Sequence, residues 1–167
     1  MAKIIMRGMD EYLKKLEALD VSRASIMKMA VYEGADEVAD AVREAVKGLP
    51  EVKTSEAVVN WRQEVPVDGI TKAQKDGLLD GLYVARMEED LDSVYTTIGF
   101  DGYNRVKTKK YPKGQPNAMI ARAVESGSSA RRKTPFVRPA VNRVKERAVQ
   151  RMADKLDETI NQIMEGK

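Results

Sequence analysis

The 167-residue chain contains no cysteine and no histidine. Without cysteine it forms no disulfides and has no thiolate chemistry, and without histidine it lacks the commonest general base and the commonest transition-metal ligand. A Ser-His-Asp catalytic triad is impossible. The carboxylates of segment 88–92 are most simply solubilising residues of a turn, and the glycines near residue 80 match no phosphate-binding pattern. The sequence predicts a protein that is not an enzyme and that binds no metal and no cofactor.

Long apolar runs are also missing. No stretch reaches the roughly 20 apolar residues that a membrane-spanning helix needs. The first residues, MAKIIMRGMDEY, are too short and too soon charged for a signal peptide. We therefore expect a protein that is made and remains in a cytoplasm, with no membrane partner.

The residues that are plentiful favour helices. Hydrophobic residues make up 43% of the chain and charged residues 33%, but only 5% are aromatic. A core of this composition is mainly aliphatic, and the abundant Met, Leu and Ala are good helix formers. A chain of this length suits one domain. We therefore predict a single domain over residues 1–167.

The charge of the chain is unevenly distributed. The net charge is only +3, yet the segment from Tyr103 to Arg151 holds fourteen basic and two acidic residues. The rest of the chain is accordingly acidic, with a net charge of −9. Faces of opposite charge allow head-to-tail contacts between copies of a chain. The alternative is a basic loop and helix face that only water contacts.

Hydrophobic spacing predicts the elements of the first third. A short strand at 3–7 precedes a helix at 9–19. After a break at residues 20–21, a second and longer helix covers 22–47. Gly34 lies inside that helix, where it marks either a close helix crossing or a tolerated glycine.

The middle of the chain carries weaker signals. Residues 54–69 fit either a short helix or a strand, and the glycines that follow weaken any helix prediction there. Alternating apolar residues predict a hairpin, with strands at 82–87 and 93–100 joined by the acidic turn 88–92.

The next segment is a loop rich in lysine. Residues 104–116, hereafter the basic loop, contain proline and glycine and show no apolar periodicity, so we predict that the loop is mobile. A short helix at 118–124 follows, and Gly127 is a natural C-terminal stop for it.

The last predicted element is a long amphipathic helix. Thr134 suits its N-cap and Pro135 its first position, where a missing N–H costs nothing. About thirty residues make a rod of roughly 45 Å, whose far end needs cover from the second helix or from another subunit. The predicted fold class is α+β: a long helix in the N-terminal half and a long C-terminal helix packed on a small antiparallel sheet or hairpin.

The stretch VESGSSARRKTPFVRPAV, residues 124–141, joins the short helix to the long one and is called the corner below. It resembles the signature of the tail-component family of long-tailed bacteriophages, the minor tail protein Z-like or tail-completion group. In chain order, that signature has a glutamate, any residue, a glycine followed by threonine or serine, and a short variable spacer. Pro-Phe, two further residues and Pro-Ala complete it. The matching residues are Glu125, Gly127, Ser128, Pro135, Phe136, Pro139 and Ala140, with serine at 128 instead of the more frequent threonine. The segments RGMDEYLKKLEAL and GLLDGL are similar to the family's opening and middle.

The resemblance implies a structural protein of the phage neck. Such proteins complete the head-proximal end of the tail for head-tail joining, as a ring around the DNA path, and no catalysis is attributed to them. The implied partners are copies of the chain itself and other neck, tail-terminator or tail-tube proteins, with nonspecific contact to DNA in the channel left open. The implied location is the virion, assembled in the bacterial host cytoplasm.

The corner is also the predicted subunit or partner interface. Phe136, held between prolines, is predicted either as an interface anchor or as a core residue packed on the 118–124 helix. Glu125 is predicted to pair with an arginine or to cap the corner. Charge reversal of the three consecutive basic residues is expected to impair particle assembly and leave monomer stability nearly unchanged. The predicted interface residues are Glu125, Gly127, Ser128, Arg131, Arg132, Lys133, Pro135, Phe136, Arg138 and Pro139.

A second function from a different class fits the same charges. The corner and the basic loop offer enough lysine and arginine for phosphate contacts, which makes a basic nucleic-acid-binding accessory protein the alternative. The dense aromatic surface of single-strand binders is missing, and no helix-turn-helix pattern occurs. The alternative therefore predicts that the protein binds DNA without recognising its base sequence.

Overall fold

Two long helices form the frame of the molecule. The computed structural model describes residues 9–63, 65–90 and 93–165, so the predicted strand at 3–7 lies outside the described part. The predicted α+β fold class is confirmed. In chain order the elements are α1 (Met9–Lys47), β1 (Glu51–Val52), α2 (Thr54–Arg62), β2 (Ile70–Thr71), α3 (Lys72–Gly81), β3 (Leu82–Val84), β4 (Glu88–Asp90), β5 (Ser93–Tyr95), β6 (Ile98–Phe100), α4 (Asn117–Ser126) and α5 (Val137–Glu165).

Helix α1 is one continuous helix of 39 residues. The predicted break at residues 20–21 is wrong. Neither Asp20 nor Val21 interrupts the backbone hydrogen bonds of a helix, as proline would. Val21 is 87% exposed, so its β-branched side chain meets no packing constraint there. The weak helix propensity of these two residues is overridden by the good helix formers on both sides.

Helices α1 and α5 pack side by side and run in opposite directions. A Cβ atom on Gly34 would lie 2.6 Å from Cγ and Sδ of Met152, so the close-crossing interpretation of this glycine is confirmed. Three residues further along α1, the buried carboxylate of Glu37 forms ion pairs with Arg147 and Arg151. The interhelical contact therefore neutralises part of the positive charge that the sequence places on α5.

The core lies where the C-terminal half of α1 meets α3, α4 and the start of α5. The phenyl rings of Phe100 and Phe136 pack with centroids 5.9 Å apart and planes inclined by 55°. Aliphatic side chains surround them, as the low aromatic content predicts. The most deeply buried are Val42, Val46, Ile70, Leu78, Val124 and Val144.

The predicted hairpin is present and lies against α1. Strand β3 pairs antiparallel with β6, and β4 pairs antiparallel with β5. The ammonium of Lys28 on α1 forms an ion pair of 2.7 Å with Glu89 near the tip. The turn prediction for 88–92 is wrong in part, because residues 88–90 form strand β4; residues 91–92 lie outside the described part.

The segment between α1 and the hairpin contains two short helices. Helix α2 confirms the helix alternative for this region. Helix α3 forms in spite of its glycines, because Thr71 and Gln74 make a reciprocal capping box at its start. Strands β1 and β2, which the sequence did not predict, form a parallel pair of two residues each.

The glycines of α3 allow other segments to approach closely. A Cβ atom on Gly77 would lie 2.5 Å from Cβ of Asn104 and 2.8 Å from Oδ1 of Asn117. We expect Gly77→Ala to lower the free energy of unfolding by about 1–3 kcal/mol through overpacking, measured by urea denaturation. Gly48→Ala is the matched control, because an added Cβ there meets its nearest atom at 3.5 Å. Equal stability of the two variants would contradict this packing account.

The basic loop is joined to the body by a hydrogen-bonded base. Asn104 N–H donates to the Gln115 carbonyl over 2.9 Å, and Gln115 N–H donates to the Val106 carbonyl over 3.1 Å. Gly114 has a φ of +117°, which glycine adopts without strain. The mobility of the loop stays a prediction.

The N-terminal turns of α1 extend past the end of α5. Gly34 lies opposite Met152, and Glu37 lies opposite Arg147 and Arg151. Since both helices rise 1.5 Å per residue, the last residues of α5 lie opposite about residue 20 of α1. Residues 9–19, hereafter the α1 extension, therefore project by roughly 16 Å.

Candidate subunit interface at the corner

The corner folds as a short backbone hook between α4 and α5. Helix α4 ends at Ser126, and Gly127 follows it with a φ of +80°, which confirms the predicted stop. Ser128 and Arg131 then exchange two backbone hydrogen bonds, of 2.9 and 3.2 Å, across a tight turn. The hook is held to the preceding loop by Val67, which donates its N–H to Ala130 and accepts from Arg132, each over 3.0 Å.

Glu125 caps the first turn of α5 from the last turn of α4. Its carboxylate accepts the backbone N–H groups of Phe136 (2.7 Å), Val137 (2.9 Å) and Arg138 (3.1 Å). These are donors that the start of a helix leaves without intrahelical partners. Partial burial alone would raise the pKa of Glu125, but the three N–H donors and the Arg138 charge hold that pKa below its ordinary value. Of the alternatives for Glu125, the structure shows the cap.

The predicted start of α5 is wrong by two residues. Helix α5 begins at Val137, so Pro135 precedes the helix and does not occupy its first position. Thr134 is not the cap. Its N–H donates to the Val124 carbonyl over 2.8 Å, which anchors the hook to α4. The capping group comes from Glu125, eleven residues before Phe136, where a local sequence pattern cannot indicate it.

Phe136 is a core residue. Only 4% of it is exposed, and it belongs to the cluster that includes Ile120 and Val124 of α4. This is the core alternative considered for Phe136, and it leaves very little of the ring for a partner to contact. The two prolines beside it, Pro135 and Pro139, are exposed.

Arg131 differs from its two basic neighbours because it is partly buried. Its Nη2 donates to Oε1 of Gln74 over 2.9 Å, and its buried Nη1 has no hydrogen-bond partner among the described residues. Desolvation of the guanidinium lowers the pKa of Arg131. Reversing this charge would place a carboxylate against Gln74, so the expectation that all three charge reversals spare monomer stability applies only to Arg132 and Lys133, which are exposed.

The outer surface of the corner is a shallow groove with basic walls. It has a volume of about 350 Å³, and its lining includes Lys133, Arg138, Pro135, Pro139 and the carboxylate-bearing Glu125. Lysine and arginine heads beside exposed proline rings offer a partner both charge and apolar surface. Five of the ten predicted interface residues thus line this groove, whereas Phe136 and Arg131 are directed inward.

A buried polar network behind the corner was missed in the sequence. Gln74 Nε2 donates to Oε1 of Gln115 over 2.8 Å, and Gln74 Oε1 accepts from both Arg131 and the N–H of Thr71. The network connects the start of α3, the base of the basic loop and the hook. The capping-box spacing of Thr71 and Gln74 was the one signal in the sequence that pointed to part of it.

Among residues 9–63, 65–90 and 93–165, no cluster of three acidic side chains is placed to hold a metal ion. No helix in that part of the chain combines the length and apolarity required to cross a membrane.

No family model, curated protein or solved structure matches the chain. The resemblance to tail components therefore stays a prediction from the residues of the corner and from the similar segments near residues 10 and 80.

Proposed function

We propose that the protein is a non-enzymatic structural component of a bacteriophage neck, located in the virion, which completes the head-proximal end of the tail as a ring of identical copies. The neck assignment rests on the corner motif, from Glu125 to Ala140. The partners in this proposal are sister copies and the neighbouring neck, tail-terminator or tail-tube proteins.

One observation carries the assembly part of the proposal: the packing face of α1 continues beyond its partner helix. Ala30 and Ile26 are buried on the face that meets α5. Helical spacing places Leu16 and Tyr12 on the same face, yet they are 42% and 53% exposed, and Leu13 beside them is 48% exposed. Adjacent exposed apolar side chains of this size are typical of a surface that another protein covers.

The corner groove is the surface best suited to receive the α1 extension of a neighbouring copy. The α1 extension carries a net charge of −1, whereas Lys133 and Arg138 line the groove beside the capping carboxylate of Glu125, and Arg132 precedes Lys133 in the corner. A contact between two different faces of the same chain is heterologous, and such contacts generate rings when the rotation between copies closes. The lopsided charge of the chain favours this head-to-tail arrangement over a symmetric one.

Disruption of the gene in a phage that encodes this protein tests the neck role. We expect lysates to contain DNA-filled heads and separate tails, counted by negative-stain electron microscopy, with few joined particles. Supplying the intact gene in trans is the control and restores joining. Normal numbers of joined particles without the protein would contradict the proposed function.

A further inference from the structure

The basic loop carries a set of cations that the chain itself does not use. The loop has five cationic side chains, and all of them are exposed. No acidic residue lies between Tyr103 and Asn117. Within the described ranges none of the five forms an ion pair. Lys110 alone has a neighbour of note, the Tyr111 ring, whose centroid is 5.6 Å from its ammonium. The five cations are Arg105, Lys107, Lys109, Lys110 and Lys113.

The backbone of the loop holds these cations in a defined arrangement. Thr108 and Tyr111 exchange two backbone hydrogen bonds, of 3.1 and 3.0 Å, which close a turn at the tip. At the base, Asn104 is only 2% exposed, and its side-chain oxygen accepts the Val106 N–H over 2.9 Å. The Gln115 side chain is bound to Gln74 of the buried network.

The residue types of the loop select the class of partner. Protein interfaces are depleted in lysine and are anchored by buried apolar or aromatic side chains. Here four of the five cations are lysine, and Val106 is the one aliphatic residue between Arg105 and Lys113, half-buried at the base. Phosphate groups need only point charges, which lysine supplies. These features favour a polyphosphate over an acidic protein surface.

We propose that the basic loop binds the phosphate backbone of duplex DNA without reading its sequence. The major groove of DNA admits a two-stranded ribbon, and the two limbs of this loop are joined by backbone hydrogen bonds between Asn104, Val106 and Gln115. The tip from Lys107 to Lys113 lacks the planar Arg, Asn and Gln side chains that make paired contacts to base edges, and its lysines are point charges suited to phosphate. This binding activity does not rest on the proposed neck role, because it requires neither ring formation nor the corner groove.

The test measures DNA affinity of the full chain as a function of salt, by fluorescence anisotropy with a short labelled duplex. With five phosphate contacts, we expect a dissociation constant in the micromolar range at about 50 mM salt and a log–log slope of roughly −4.5. Lys107→Gln/Lys109→Gln removes two contacts. It should weaken binding roughly tenfold or more at about 0.1 M salt and reduce the slope by about 2.

The matched control is Lys53→Gln/Lys145→Gln. Both lysines are exposed and form no ion pair in the described part of the chain, so the change in net charge is the same. We expect this variant to bind DNA like the wild type. Three results would overturn the proposal: equal weakening by the two double variants, absence of binding at about 50 mM salt, or competition by poly-glutamate as effective as competition by unlabelled duplex DNA. These results leave the head-tail joining experiment unaffected, since that experiment measures assembly and not DNA affinity.

Discussion

Glu125→Ala is expected to lower the free energy of unfolding by about 2 kcal/mol, with a fall in Tm of roughly 4–8 °C. The carboxylate accepts three backbone N–H groups at the start of α5, and alanine leaves all three without that acceptor. The lost contact also joins two helices, so both α4 and α5 lose an anchor. Urea denaturation followed by circular dichroism measures the change.

The matched control for this substitution is Glu146→Ala. Glu146 is an exposed residue of α5, and no ion pair or hydrogen bond involves its side chain in the described part of the chain. We expect a change within about 0.5 kcal/mol. A similar loss of stability in both variants would show that the cap at Glu125 contributes nothing beyond the removal of one charge.

The effect of Glu125 should also depend on pH. Its pKa in the folded protein is lower than the ordinary glutamate value, because the backbone donors and Arg138 outweigh the opposing effect of burial. A carboxyl group with a lowered pKa stabilises the fold above its unfolded-state pKa, about 4.3, and loses that contribution as the pH falls through the folded value. The difference in stability between wild type and Glu125→Gln should therefore shrink below about pH 4. A constant difference down to pH 2 would contradict this assignment.

Leu16→Glu is expected to abolish self-association of the purified protein while leaving the monomer folded. Leu16 is 42% exposed on the α1 extension, beyond the end of α5, so a glutamate there disturbs little of the monomer core. In the proposed contact the same side chain is covered by a sister copy, and burying an unpaired carboxylate costs far more than the contact gains. Sedimentation velocity at increasing protein concentration measures the loss.

Val21→Glu separates this effect from a general effect of added charge. Val21 lies on the opposite face of the same helix and is 87% exposed, so the substitution adds the same charge to the same element. We expect Val21→Glu to assemble as the wild type does. Equal disruption by both variants would remove the α1 extension as a specific interface.

The sequence predicted the elements whose signals are local. The long helices follow from hydrophobic spacing over many turns, and the end of α4 follows from Gly127 and its positive φ. The alternating residues of the hairpin likewise revealed its antiparallel strands. In each case the residues that determine the structure lie within a few positions of the element.

Apart from the false break at residues 20–21 of α1, where local helix propensity was misjudged, the errors arose where distant residues determine the structure. The start of α5 depends on a carboxylate from α4, and the burial of Arg131 depends on its position beside Gln74 of α3. Helix α3 was undervalued because Gly77 lacks helix propensity, although its missing side chain is what admits Asn104. The α1 extension became visible only when the register of α1 against α5 was known.

The most direct test of the head-to-tail contact mixes two variants that are each defective on one face. Leu16→Glu retains an intact corner, and Arg132→Glu/Lys133→Glu retains an intact α1 extension. By sedimentation velocity we expect each variant alone to be monomeric, and an equimolar mixture to form a complex of one copy of each that grows no further. Only monomers in the mixture, or full-size assemblies from either variant alone, would contradict the account.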